Sequence, residues 1–461
     1  MRSIAFRHVA GLLMAVALVH LAPLARATGS SAPPIDARLL GHAVFDARSF
    51  VGAPADAAAD AFISGKFAGA DNLRNSVVAS APARTAAAPA GRPTGLSLPF
   101  AGQPVQGISG MVAIGDGSYW ALADNGFGSK RNSADALLAI HRLRPDFARG
   151  SVIRQQTLWI RDPLQRIGFR ITHEGTAARY LTGADLDPES IQMVPDGFWI
   201  GDEFGPFLVK LDVHGVVQRV IEASLDGRKL RGPDHPQLQL GATPSERVEF
   251  AVARSGGFES LAIDVDGRYL YALLEKPLHG ADGLPEGRFL RVLEFDLLDE
   301  RWSGRSLRYA LGKGATAVGD LQVIDAARAL LIERDGGEGD AGLACGEQRQ
   351  EPDCFATPAG QRRIVMVSFD PHAADPNLHK LGAIDLLDIA DPLARARQHG
   401  DRGHPRTRRF GMPFATIESV LRIAPDRILV VNDNNLPFSA GRFLHHADDT
   451  EFVLLRVPAL K

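Results

Sequence analysis

Five times along this chain an apolar run, a tight turn and a second apolar run are flanked at their outer ends by acid, amide or hydroxyl side chains. No other feature restricts the available folds as much. The clearest copy lies between Asp187 and Pro206. Residues 190–194 read as one strand and residues 198–201 as its return strand. Pro195-Asp196-Gly197 reads as the turn, because proline presets φ and glycine accepts a positive one. In an antiparallel hairpin the start of one strand and the finish of the next share an end, so Glu189 is expected to meet Asp202 and Glu203. The other copies run from Ile108 to Asn125, Phe258 to Lys276, Gly319 to Asp335 and Ile417 to Asn434.

A recurring supersecondary unit of this kind points to a propeller-like array. Short β-type runs and 47 glycines favour an all-β class over a helical one. Further strands are expected at 136–143 and 152–160, at 207–213 and 216–221, at 289–297 and 306–311, and at 363–369 and 380–384. These give four units their full set of four strands. The fifth copy is followed only by a run at 451–457, and an early strand at 39–45 is expected to complete it and close a ring without exposed edges. The expectation is a single β-propeller of five to six four-stranded blades over residues 28–461. Residues 52–93, rich in Ala and Pro, are expected to be a loop insertion, with an Ala-rich helix at 57–63 as the local alternative. Long connections at 161–186, 223–256, 336–361 and 386–414 are placed to carry recognition.

Residues 1–27 have the form of a secretory signal: Arg2 and Arg7, an apolar run over 9–19, then Ala25-Arg26-Ala27 as a cleavage site. The apolar run is short for a membrane span and is followed by His20 and Pro23. The expected product is a periplasmic or secreted monomer with no membrane span after cleavage. The formal net charge of −3 becomes more negative when three arginines leave with the signal. That argues against a nucleic-acid partner, which needs a basic footprint. Cys345 and Cys354 are the only cysteines, and in an oxidising compartment they are expected to form one disulfide across a surface loop.

If the units close a ring, their hairpin ends converge on one channel mouth. The candidates there are Ser109, Asp124, Asn125, Glu189, Asp202, Glu203, Glu259, Glu275, Asp320, Glu333, Glu418, Asp433 and Asn434. So many carboxylates in one place must hold protons or recruit a cation. Oxygen-only donors suit Ca²⁺, with Mg²⁺ second, and the sequence has no histidine cluster at zinc-ligand spacing. The expected metal ligands are Glu189, Asp202, Glu203, Glu259, Glu275, Glu418 and Asp433; the expected catalytic carboxylates are Glu189, Asp202 and Glu259. Lys276, Arg334 and Arg254 are candidates to hold a substrate phosphate, with ion pairing to neighbouring acids as the equal alternative. Ser190, Ser260 and Ser419 follow the recurrent glutamate and read as packing or turn residues. No G-x-S-x-G elbow is present, and Ser109 between Ile108 and Gly110 resembles one only in part. His173, His235, His279, His445 and His446 fall in expected loops.

Several of these segments together resemble a known family. They are Asp-Pro-Glu-Ser-Ile at 187–191, Phe-Trp-Ile-Gly-Asp-Glu-Phe-Gly-Pro at 198–206 and Gly-Phe-Glu-Ser-Leu-Ala at 257–262. Leu-Leu-Ile-Glu-Arg-Asp at 330–335, Ile-Glu-Ser-Val at 417–420 and Val-Val-Asn-Asp-Asn-Asn at 430–435 complete the set. From about Gly107 onward the chain resembles the phytase-like family described as having esterase-like activity. The resemblance implies an exported bacterial β-propeller, hydrolysis of a small-molecule ester or phosphoester, and calcium. Ser190, Ser260 and Ser419 stand where many relatives are expected to have glycine, a departure that bears on chemistry more than on fold. Three readings follow. The first is a metal-assisted hydrolase of phosphate esters; the second is a non-catalytic ligand- or protein-binding propeller with a structural calcium; the third is a serine carboxyl esterase using Ser109.

Overall fold

The computed structural model describes residues 32–68, 79–85, 88–243, 245–280, 282–347, 350–403 and 408–461. The expected secretory signal at 1–27 lies outside them. The described chain is all-β, built of many small antiparallel sheets with short 3-10 turns. No helix among the described residues is long and apolar enough to cross a membrane.

Four units of four sequential strands recur. The first is Ile108–Ala113, Tyr119–Ala123, Ala139–Asp146 and Ser151–Trp159; the second is Pro188–Val194, Gly197–Asp202, Phe207–Asp212 and Val217–Glu222. The third is Phe258–Ile263, Tyr269–Leu274, Phe289–Asp296 and Arg301–Ala310; the fourth is Ala317–Asp325, Arg328–Arg334, Arg362–Ser368 and Lys380–Asp385. A fifth contains Ser419–Ala424, Arg427–Val431 and Thr450–Arg456. Its outer strand comes from the other end of the chain. Arg38–Phe45 pairs antiparallel with Thr450–Arg456, from Arg38 opposite Arg456 to Phe45 opposite Thr450.

The apolar cores lie between consecutive units, because alternate side chains of a strand face opposite sides of its sheet. Val112 and Leu122 meet Ile191 and Ile200. Trp199 and Leu208 meet Phe258 and Leu261. Tyr271 and Leu273 meet Leu331 and Val365, and Ile332 and Ile364 meet Val420 and Val430. The series returns to its start where Leu421 and Phe452 meet Met111 and Ile108. Burying each such side chain contributes about 1.5–3 kcal/mol. The first strands of consecutive units pack side by side, and Ser419–Ala424 packs against Ile108–Ala113.

The turn between Gly197 and Val194 is as the sequence suggests. Gly197 has φ 152°, and a Cβ there would lie 1.9 Å from the Leu211 carbonyl oxygen, so no other residue fits. The Ala/Pro-rich stretch at 52–93 departs from a simple loop. A 3-10 turn forms at Ala59–Phe62, and Ala79–Thr85 pairs with Ala88–Leu98 as a hairpin, while 69–78 and 86–87 lie outside the described residues. The sequence there lacks apolar alternation, and its strands are defined by backbone pairing, to which side-chain period is blind. Cys345 and Cys354 form the expected disulfide.

Candidate functional site

A shared irregularity aims side chains inward. Pairing between the first two strands slips between Ile108 and Gly110, Pro188 and Ser190, Phe258 and Ser260, and Val318 and Leu321. Such a bulge takes a residue out of the ladder and redirects its side chain; in the fourth unit it takes out two, Gly319 and Asp320. The residues at this position are Ser109, Glu189, Glu259 and, in the fourth unit, Gly319. Glu418 holds the matching place in the fifth, just before the paired Ser419.

A second inward set comes from the ends of the second strands. The residues paired just before each bulge are Ala123, Asp202, Leu274 and Glu333. The next residues are Asp124, Glu203, Glu275 and Arg334, and Asp433 is their counterpart two residues after Val431. Because successive residues alternate in direction, Asp202 and Glu333 point the other way. Their carboxylates are taken up by neighbouring groups. Both carboxylate oxygens of Asp202 are engaged, one accepting from Asp187 N at 2.8 Å and the other from Gly205 N at 2.6 Å. Glu333 accepts from Tyr309 Oη at 2.7 Å and Gly312 N at 2.7 Å and pairs with Lys380.

The two inward sets share one electrostatic environment. Burial raises the Glu189 carboxyl well above its usual range, and Asp187, Glu418, Glu259 and Glu203 raise it further. Burial likewise lifts Glu259, with Glu418, Glu275 and Glu203 adding to it. Asp124 is raised by burial, Asp433 and Asp187, and Glu203 by burial, Glu275 and Asp187. Burial pushes Glu418 up to about 8, and Asp187 and Asp433 up to about 6. Glu189, Glu259 and Glu418, distant in sequence, therefore sit together. Arg334 lies 3.5 Å from Glu275 and 3.7 Å from Glu418, and Lys276 lies 2.6 Å from Glu275.

One subset has the spacing of a cation site. Asp187, Glu189 and Glu203 each offer a carboxylate oxygen within 4.8 Å of the others. Asp187 Oδ1, Glu203 Oε1 and Glu259 Oε1 are buried without a hydrogen-bond partner. A buried acceptor left unmade is costly, and hard oxygen donors at this spacing suit a cation such as Ca²⁺. Asp187 was not among the sequence candidates. Its counterparts ahead of the first and third bulges are Gly107 and Gly257, so the repeat carried no sign of it. The signal that could have found it is its place two residues before Glu189, directly ahead of the same strand. Asn125 Nδ2 donates to Asp187 Oδ2 at 2.7 Å, joining the first unit to the second.

The remaining candidates have other partners. The exposed Arg254 is paired with Asp234 at 2.6 Å. Asp320 accepts from Ser260 Oγ at 2.8 Å and Val420 N at 2.9 Å, fastening the third, fourth and fifth units together. Asn434 accepts from Gly107 N at 3.1 Å and donates to Gln106 at 2.6 Å. Ser109 is beside Glu418, and Ser190 and Ser419 are buried. His173 contacts the Tyr180 carbonyl, His235 lies 3.2 Å from Glu222, and the His279 carbonyl accepts from Arg228. His445 and His446 line a separate surface cavity of about 600 Å³ with Asp46, Asp401 and Phe443.

Gly257 supports Glu203 directly. A Cβ on it would fall 2.3 Å from the Glu203 carbonyl oxygen and 2.6 Å from its Cα. Gly257→Ala is expected to destabilise the protein by about 1–3 kcal/mol through overpacking. It should also weaken cation binding by displacing Glu203, both read from melting curves taken with and without Ca²⁺.

The profile of a family named Phytase-like, described as "Esterase-like activity of phytase", matches residues 103–436. An uncharacterized secreted protein of Arthroderma benhamiae is 32% identical over 124 residues, which span 24% of this chain and 24% of that relative. Among solved structures, the periplasmic gluconolactonase of Pseudomonas aeruginosa is 14% identical over 75% of this chain and 88% of its own, with a TM-score of 0.29. A GH43 β-1,3-galactosidase is 10% identical over 77% of this chain and 91% of its own, with a TM-score of 0.38.

Proposed function

Because the chain belongs to the phytase-like family, whose description is an esterase-like activity of phytase, we propose that its acidic pit is the site of a cation-dependent hydrolase of small-molecule phosphate esters. The five units are read as one five-bladed propeller, with Arg38–Phe45 closing it and the pit at its channel mouth. The disulfide and the secreted relative support a periplasmic or secreted location. One observation carries the reading. Eight carboxylates (Asp124, Asp187, Glu189, Glu203, Glu259, Glu275, Glu418 and Asp433) from four different units act on one another's charge within a single acidic cluster, and several of their buried oxygens lack a partner.

In this reading Asp187, Glu189 and Glu203 hold a divalent cation, with Ca²⁺ the best match to an all-oxygen set. A cation bound there would polarise a phosphoryl oxygen and acidify a water. Arg334 and Lys276 flank the same space and neutralise the remaining phosphoryl oxygens as charge builds on them. Burial and its acidic neighbours raise the Glu259 carboxyl well above its usual range, which suits it to act as the acid that protonates the departing alkoxide. Asp202 is a positioning residue, gripping the backbone nitrogens of Asp187 and Gly205 on either side of Glu203.

The test uses purified protein stripped with a chelator and assayed on p-nitrophenyl phosphate and p-nitrophenyl acetate in parallel. Phosphate release is expected to vanish on chelation and return with added Ca²⁺. A melting temperature raised by Ca²⁺ without turnover of any ester would instead identify a binding protein. Acetate turnover lost in Ser109→Ala would identify a serine esterase.

A further inference from the structure

The inward positions recur from unit to unit, and although Ser109 stands at the bulge of the first unit, only the fourth has an acid at neither position. The position at or just past the end of each second strand holds Asp124, Glu203, Glu275 and Asp433 in four units, and Arg334 in the fourth. The bulge position that carries Glu189, Glu259 and Glu418 is Gly319 in that same unit. A Cβ on Gly319 would lie 2.4 Å from the Ile417 carbonyl oxygen, so close backbone approach excludes an acid there. The fourth unit thus lacks both of its inward acids and contributes a guanidinium in their place. That guanidinium is largely buried and lies between Glu275 of the third unit and Glu418 of the fifth, at 3.5 and 3.7 Å. Glu259 and Asp433 also act on its charge.

The second unit is the opposite case. Among the described residues no Lys or Arg forms an ion pair with Asp187, Glu189 or Glu203. Asp187 Oδ1 is buried with no N–H or hydroxyl donor, and its carboxyl lies against that of Glu189. Direct ion pairs are therefore built into one side of the pit, while the other side feels positive charge only from Lys276, which acts on Glu203 without pairing with it.

Resting on the cation reading above, we propose that Arg334 is a fixed internal cation occupying the place of a second metal ion, so that the pit takes a single divalent cation at Asp187, Glu189 and Glu203. Arginine suits this role because it stays protonated at any working pH and its fork can serve two carboxylates at once. A metal ion drawn toward Glu275 and Glu418 would meet the guanidinium already between them. A phosphoryl group entering the pit would then lie between one metal and one guanidinium, where two-metal sites use a pair of ions.

The experiment counts ions and does not depend on turnover. Isothermal titration of the chelator-treated protein with CaCl₂ near neutral pH is expected to show one site. Arg334→Met should raise the count to two, Arg334→Lys should keep it at one, and Glu203→Gln should abolish the site in the native background. Two equivalent ions in the native protein would overturn the proposal, as would a single ion in a folded Arg334→Met. Should that variant not fold, native mass spectrometry of the unaltered chain still decides, since a second bound calcium contradicts the role given to Arg334. Absence of any Ca²⁺ binding would overturn the cation reading itself, whereas a loss of the hydrolase reading alone would leave the stoichiometry intact.

Discussion

Glu203→Gln is expected to erase the Ca²⁺-induced rise in melting temperature and to lower Ca²⁺-dependent phosphate release by about 10²–10³-fold, the scale of losing one preorganised electrostatic group. The substitution keeps the shape, replaces one acceptor oxygen with an NH2 donor and removes one negative charge. Glu203 presents a buried oxygen without a partner, and it shares with Asp187 and Glu189 the spacing of a cation site. In the metal-free protein the same change relieves repulsion among buried acids, so the chelated variant should melt no lower than the chelated native protein. A cation at a hundredfold excess over Kd adds about 2.7 kcal/mol to the native protein, and this response is what the variant should lose. Arg254→Gln is the control. Arg254 is exposed and its pair with Asp234 is of the kind worth about 0–1 kcal/mol, so both readouts should stay near native. A Glu203→Gln protein that still gains stability from Ca²⁺ as the native protein does would remove Glu203 from the site.

The unit structure was legible because it is written in local patterns: apolar runs of strand length, turn residues between them and polar residues at their ends. Even the partner of Thr450–Arg456 could be assigned, since the fifth copy visibly lacked an outer strand that an early run could supply. Which acids face inward was only half legible. Asp202 and Glu203 are adjacent, both acidic and both at a strand end, and only the register of the pair with Pro188 decides which one enters the pit. The same register turns Glu333 outward and Arg334 inward. Bulges set this, and a bulge has no dependable residue signature when serine, glutamate and glycine all occupy it. Asp187 escaped notice because Gly107 and Gly257 hold its place in the first and third units, so no repeat pointed to it. Arg254 carried two equal readings, and its pair with Asp234 agrees with the ion-pairing one; that partner lies within a loop that has no repeat to compare with.

Without a cation, stability is expected to fall as pH rises from about 5 to 8, the reverse of the usual behaviour of a carboxylate-rich protein. The sign follows from which state holds the protons. In the unfolded chain Asp and Glu lose them near pH 4. In the folded protein burial holds the Asp187 and Asp433 carboxyls to about 6 and Glu418 to about 8, and shifts Asp124, Glu189, Glu203 and Glu259 in the same direction. Between those limits the folded state binds more protons than the unfolded one, so each added pH unit favours unfolding. The stabilisation is complete below about 4 and is lost as the pH passes through 6 and then 8, at about 1.4 kcal/mol per unit for each group. Glu451 runs the other way. Burial opposes its ionisation, but Arg442 and His42 outweigh that and hold it at about 2, so its contribution is present at neutral pH and lost only in acid. It therefore leaves the slope between 5 and 8 unaltered. A bound cation inverts that slope, because it takes the ionised carboxylates and expels their protons, so the rise in melting temperature on adding Ca²⁺ should grow from pH 5 to pH 8. Melting curves at both pH values, with chelator and with Ca²⁺, read out the two slopes. A chelated protein that becomes more stable over this interval would mean that the buried acids are already ionised without a metal, and the pit would then lack the charge imbalance that calls for one.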